Sequence, residues 1–116
     1  MKDLTPKLAR IKDDFAAYLS TITMGQAVHS PILEYRFNIS GAEVRALINN
    51  LSNSGMPIGN TIRVDENTTI KAYFHAKNYE ELFPTIQDIE SRAFELLQRA
   101  KNLKKIYSTD NEPSFL

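Results

Sequence analysis

Arg45 and Asn49 stand four residues apart in a stretch with helical spacing, so both side chains leave the same side of that helix. An arginine fork matches the O6 and N7 acceptors of guanine, and an asparagine amide matches the N6 and N7 edge of adenine. Ser40, with the amides of Gly41 and Ala42 at the start of the same helix, has the donors that hold a phosphate. Arg36 lies just before it, and Arg63 and Lys71 flank a later hairpin; these cations suit a phosphate backbone or a minor groove. Arg36, Ser40, Ala42, Arg45, Asn49, Arg63 and Lys71 are therefore the candidate nucleic-acid contacts. Each also has a plain structural role open to it. Ser40 is a helix cap, Arg45 and Asn49 can be a solvated face, and Arg63 and Lys71 can be charges that guard a sheet edge.

Few other side chains can do chemistry. The histidines are His29 and His75, and there is no cysteine, so no disulfide, thiolate nucleophile or cysteine metal site is possible. No Ser–His–Asp arrangement and no phosphate-cradling glycine loop is present. Asp13-Asp14, Asp65-Glu66 and Glu80-Glu81 read as solvated pairs. The expectation is no enzymatic activity, no cofactor and no metal.

The candidate residues need elements to carry them. Leu4, Leu8, Ile11, Phe15, Tyr18 and Ile22 recur at spacings of four and three, which predicts a helix from about Thr5, a cap, to Ser20. Gly25 permits a turn, and Gln26–His29 reads as a short extended piece. Ser30-Pro31 repeats the cap-then-proline start signal for a short helix ending near Asn38. Ser40 with Glu43 three residues on forms a capping box for the next helix, which points Val44, Leu47, Ile48 and Leu51 inward and stops at Gly55. The tight helix pair around Asn38 has the plan of a helix-turn-helix, with Leu33, Phe37, Ile39, Val44 and Leu47 as its core. Glu34 stands where a small residue would ease close packing. Residues 57–63 and 68–76 predict two strands around the polar turn Asp65-Glu66-Asn67. Asn78 opens a long last helix, in which Pro84 predicts a kink or a restart.

Lys plus Arg and Asp plus Glu each number 14, so the net charge is zero and strong non-specific nucleic-acid binding is not indicated. The last helix is polarised, acidic over residues 78–91 and basic over 92–107, as its dipole favours. No apolar run reaches the ~20 residues of a membrane span. The expected location is cytoplasmic, with no membrane partner.

The run Asn38-Ile39-Ser40-Gly41-Ala42-Glu43-Val44-Arg45-Ala46-Leu47-Ile48-Asn49-Asn50-Leu51 resembles the recognition helix of small winged-helix proteins of phages and prophages. In that group a G-x-P-I segment follows, matched here by Gly55-Met56-Pro57-Ile58. A G-Y-Y-x-A-type strand comes next, where this chain has Lys71–Ala76, with Lys71-Ala72 in place of the usual glycine. Glu80-Glu81 and Ser91-Arg92-Ala93 match the opening and later part of the group's last helix. The resemblance spans about residues 26–106. It implies a winged helix-turn-helix, α+β but mainly α, with an N-terminal helix, a two-stranded wing and a long C-terminal helix. It also implies sequence-specific binding of double-stranded DNA, as a transcriptional regulator or replication accessory.

Residues 1–107 are expected to form this domain, and 108–116 a flexible tail. The C-terminal stripe of Ile86, Ile89, Ala93, Leu96 and Leu103 has heptad spacing, which suits a homodimer seam. An alternative function is a protein-binding module, such as a phage-encoded inhibitor of a host protein on the same scaffold. The neutral charge favours it.

Overall fold

The Thr5 hydroxyl accepts the Leu8 N–H at 3.3 Å, and Pro6 occupies the first turn of the helix that follows. This helix, α1 (Pro6–Leu19), buries Leu8, Phe15 and Leu19. A 3₁₀ turn (Met24–Gln26) and a two-residue strand, β1 (Val28–His29), lead into α2 (Ser30–Phe37). Asn38 then takes the left-handed conformation (φ 54°, ψ 54°), and the Ile39 N–H closes the turn on the Glu34 carbonyl at 3.0 Å. Next come α3 (Gly41–Asn53), the hairpin β2 (Ile58–Asp65) and β3 (Thr68–His75), and α4 (Tyr79–Tyr107). α3 ends where Gly55 adopts φ 104° and the Met56 N–H reaches the Leu51 carbonyl at 3.0 Å.

This order is a winged helix-turn-helix, mainly helical with a small antiparallel sheet. The computed structural model describes residues 4–107. The expected tail at 108–116 lies outside the described residues. Contacts divide the chain into two compact units, Met1–Thr85 and Ile86–Leu116.

In the first unit the strand order is β1-β3-β2. β3 is central, pairing Val28 with Tyr73 on one side and Asn60 with Tyr73 on the other. The third strand is the short extended piece expected at 26–29. The hairpin turn is Glu66-Asn67, both at positive φ (46° and 69°), as a two-residue turn between twisted strands requires.

One face of the sheet, through Ile58 and Tyr73, meets Phe15, Leu19, Leu33, Ile39, Val44 and Leu47 of the helical layer. Phe37 is half-buried and packs its ring against Phe15 at 5.1 Å and Tyr18 at 6.0 Å. A second cluster holds Ala27, Ala72, Phe74 and Ala76, with Leu82 from the first turns of α4 against it.

Two local expectations are corrected. Ser30 does not cap α2. His29 holds the cap position, and the Ser30 hydroxyl, inside the helix, donates to Glu34 Oε2 at 3.0 Å. Pro84 does not restart the last helix, because α4 runs unbroken from Tyr79 to Tyr107. Its first turn is anchored instead by Asn78, whose Oδ1 accepts the Glu81 N–H at 3.0 Å, and by Glu81, which accepts the Lys77 N–H at 2.9 Å.

The second unit, over its described residues 86–107, is helix throughout and carries an Asp88–Arg92 ion pair at 3.1 Å.

Candidate nucleic-acid interface

The capping box expected at the start of α3 is complete. The Ser40 hydroxyl accepts the Glu43 N–H at 3.1 Å, and the Glu43 carboxylate accepts the Ser40 N–H at 2.9 Å. Lys7, from α1, donates to the same carboxylate at 3.3 Å. The Ser40 amide and, after it, the Lys7 ammonium hold the Glu43 carboxyl below the usual carboxylate range. Glu43 is thereby turned back toward α1 and neutralised, so the acid at the helix start does not stand open before a phosphate.

Beyond that cap, α3 presents Ala42, Arg45 and Asn49, all exposed and all on one side of the helix. Val44, Leu47, Ile48 and Leu51 occupy the buried side. Asn50 is half-buried, and its Oδ1 is buried without a hydrogen-bond partner.

Arg45 does not extend freely from this face. Its Nη1 lies 3.6 Å from the point where a Gly41 Cβ would stand, and Glu34 Oε2 lies 3.3 Å from the same point. The guanidinium therefore lies along α3 over Gly41, the point at which the Glu34 side chain of α2 also arrives. The small residue that helix-turn-helix packing needs is thus Gly41, on the second helix. Glu34 uses the space that glycine leaves.

Arg45 also reaches toward the sheet. Burial pushes the Tyr73 phenol up, and the Arg45 charge pulls it partly back, so the two groups share one local field. Lys71 is exposed and stands two residues from Tyr73 in β3, on the same face of the strand. Ala42, Arg45 and Asn49 thus share one side of α3, and Lys71 is exposed on β3.

Arg36 is engaged elsewhere. Its guanidinium lies 4.0 Å above the centre of the Tyr18 ring of α1. It borders a shallow apolar groove with Pro31, Ile32 and Tyr35. The Arg63 backbone pairs with Ile70 in the hairpin, and its side chain lies outside the described residues.

Sequence reading missed Lys7, Tyr73 and the use made of Glu34. Lys7 and Glu43 lie 36 residues apart, and no spacing rule links them. His29 sits at the start of α2 and His75 at the end of β3. Among the described residues, no three His, Cys, Asp or Glu side chains come together as a metal site would need. Among them, too, no helix is long and apolar enough to cross a membrane.

Of the residues expected in a dimer seam, Ile86 is half-buried, and Ile89, Ala93, Leu96 and Leu103 are exposed.

No protein-family profile and no curated protein matches this chain. Among solved structures it is similar to the S. aureus MepR–DNA complex, with 19% identity over 89% of this chain and 85% of that one and a TM-score of 0.44.

Proposed function

We propose that the chain binds double-stranded DNA, laying α3 in the major groove with Arg45 and Asn49 at base edges and Lys71 on the flanking backbone. The observation that carries this reading is the single exposed side shared by Ala42, Arg45 and Asn49 on α3. The small side chain of Ala42 lets the helix start approach the bases, as this docking mode requires. The resemblance of residues 38–58 to small phage-type winged-helix proteins supports the same role, as a regulator or replication accessory.

Arg45 lies along α3 over Gly41, so its side chain must extend to reach guanine. Residues 30–77 carry a net charge of only +1, so few phosphates are neutralised and binding is weak, with a correspondingly modest loss of affinity as salt rises. The test is a mobility shift on random duplex at low salt, repeated with Arg45→Ala. The expected result is a shift that weakens with Arg45→Ala and with added salt. No shift at low salt overturns the reading.

One observation favours a second reading, a protein-binding module. Tyr35 is 92% exposed and Ile32 51% exposed beside the apolar groove of α2. An isolated exposed tyrosine is ordinary, but one lining a groove with Pro31 and Ile32 suits a protein partner, such as a host protein inhibited by this chain. Under that reading the duplex shift is absent and Tyr35→Ala abolishes partner capture.

A further inference from the structure

The second unit raises a question that DNA binding does not answer: what covers its apolar face. Within residues 86–107, Ile89, Phe94, Leu96, Leu97, Leu103 and Ile106 are each more than half exposed. Ile86, Ile89, Ala93, Leu96, Ala100 and Leu103 follow one another at spacings of three and four, a heptad seam along one side of the helix.

We propose that this face is covered by the same helix of a second copy of the chain, running antiparallel. Two features of the seam select this occupant and this direction. The first is size. The large side chains Ile89 and Leu96 alternate with the small ones Ala93 and Ala100. In a parallel pair like meets like, so Ala93 faces Ala93 and Ala100 faces Ala100, leaving gaps that destabilise a core. In an antiparallel pair Ala93 faces Leu96 of the other copy, and Ile89 faces its Ala100. Ile86 faces Leu103 at both ends, so the seam closes on itself with large against small at its centre.

The second feature is charge. Residues 86–96 carry Asp88, Glu90 and Glu95 against Arg92 alone, whereas 97–107 carry Arg99, Lys101, Lys104 and Lys105 with no acid. Helix axes in contact lie about 8–10 Å apart, within the Debye length of about 10 Å at 0.1 M salt. A parallel pair would align the two basic halves. The antiparallel pair sets each basic half beside an acidic one.

This inference is independent of DNA binding, and its test contains no DNA. The chain has no cysteine, so introduced ones are unambiguous probes. The full-length protein is weighed by light scattering across a concentration series. Ile89→Cys and Ala100→Cys proteins are then oxidised mildly, alone and mixed. The expected mass is that of a dimer. The expected disulfide forms between the two variants in the mixture and not within either variant alone. Leu96→Glu, at a position already exposed in the single chain, should raise the dissociation midpoint by about a hundredfold or more, because a carboxylate is buried in each copy. Its far-UV circular dichroism checks that the chain still folds. A single-chain mass at tens of micromolar overturns the proposal, as does efficient self-cross-linking of Ile89→Cys alone, the mark of a parallel pair.

Discussion

Phe74 occupies the space beside Gly59 where a side chain would otherwise stand. The two residues are register partners across the hairpin, and a Cβ on Gly59 would come within 3.0 Å of three atoms of the Phe74 ring. Phe74 is itself 2% exposed and cannot swing out without opening the cluster of Ala27, Ala72 and Ala76. Glycine is needed here for space, not for a special backbone angle. Gly59→Ala should therefore overpack the site and destabilise the protein by about 1–3 kcal/mol in a urea titration. Gly25→Ala, where an added Cβ meets nothing within 4 Å, should stay within about 0.5 kcal/mol of the parent.

The edge of β2 is closed by one side chain. Thr85, 5% exposed, accepts the Asn60 N–H at 2.9 Å and donates to the Asn60 carbonyl at 3.4 Å. Those backbone groups point away from β3 and would otherwise be half-buried and unpaired. Thr85→Val keeps the shape and removes both bonds, leaving the Asn60 groups unsatisfied. It should cost about 1–3 kcal/mol, and Thr85→Ser should restore most of that. Thermal melts of the two variants beside the parent check the difference.

The main elements were legible because their ends are written in local chemistry. Thr5-Pro6, the Ser40–Glu43 box and Gly55 each fix a boundary through contacts within a few residues, whereas the polar turn expected from Asp65 tightens to Glu66-Asn67 because Asp65 pairs with Thr68 as the last residue of β2. The buried positions of the helix-turn-helix followed from helical periodicity alone, with Phe37 less buried than its place suggests because it meets the Phe15 and Tyr18 rings at the margin of the core. What escaped depends on how elements meet. Ser30 has the look of a cap, but the Glu34 side chain one turn later captures its hydroxyl. The pairing of β1 with β3 spans two residues, too few for a periodicity to register. The outward side of α3 was legible as a set of residues. The meeting of Arg45 and Glu34 over Gly41 was not, because it rests on the crossing of two helices there.

The α3 cap has a predictable pH signature. The folded state lowers the Glu43 pKa, through the Ser40 amide first and Lys7 after it. A depressed carboxyl adds stability that is present above its unfolded pKa, about 4.3, and is lost as pH falls through the lower folded value. Glu43→Gln removes that increment. The parent should melt above the Glu43→Gln variant at neutral pH, and the gap should close as the solution is taken into the acid range below pH 4. Ser40→Ala removes the other half of the box and should cost about 0.5–2 kcal/mol. A gap between parent and Glu43→Gln that persists unchanged in acid would show that the carboxylate charge plays no part.

Arg45 can be located in solution without any nucleic acid. Its charge opposes the upward push that burial gives the Tyr73 phenol. Arg45→Ala should therefore raise the Tyr73 pKa further, whereas Asn49→Ala, four residues along the same exposed side, should leave it alone. The readout is the ultraviolet titration of tyrosinate, with Tyr73→Phe identifying which of the five tyrosines moves. The sign for stability follows. Tyr73 is neutral in both states below the unfolded pKa of about 10, so its burial costs nothing extra there. As pH rises past that value the unfolded chain ionises first, and stability declines until the higher folded pKa is reached. The decline should extend to higher pH in Arg45→Ala than in the parent. If Arg45→Ala leaves the tyrosinate titration unchanged, the guanidinium does not stand near the Tyr73 phenol in solution.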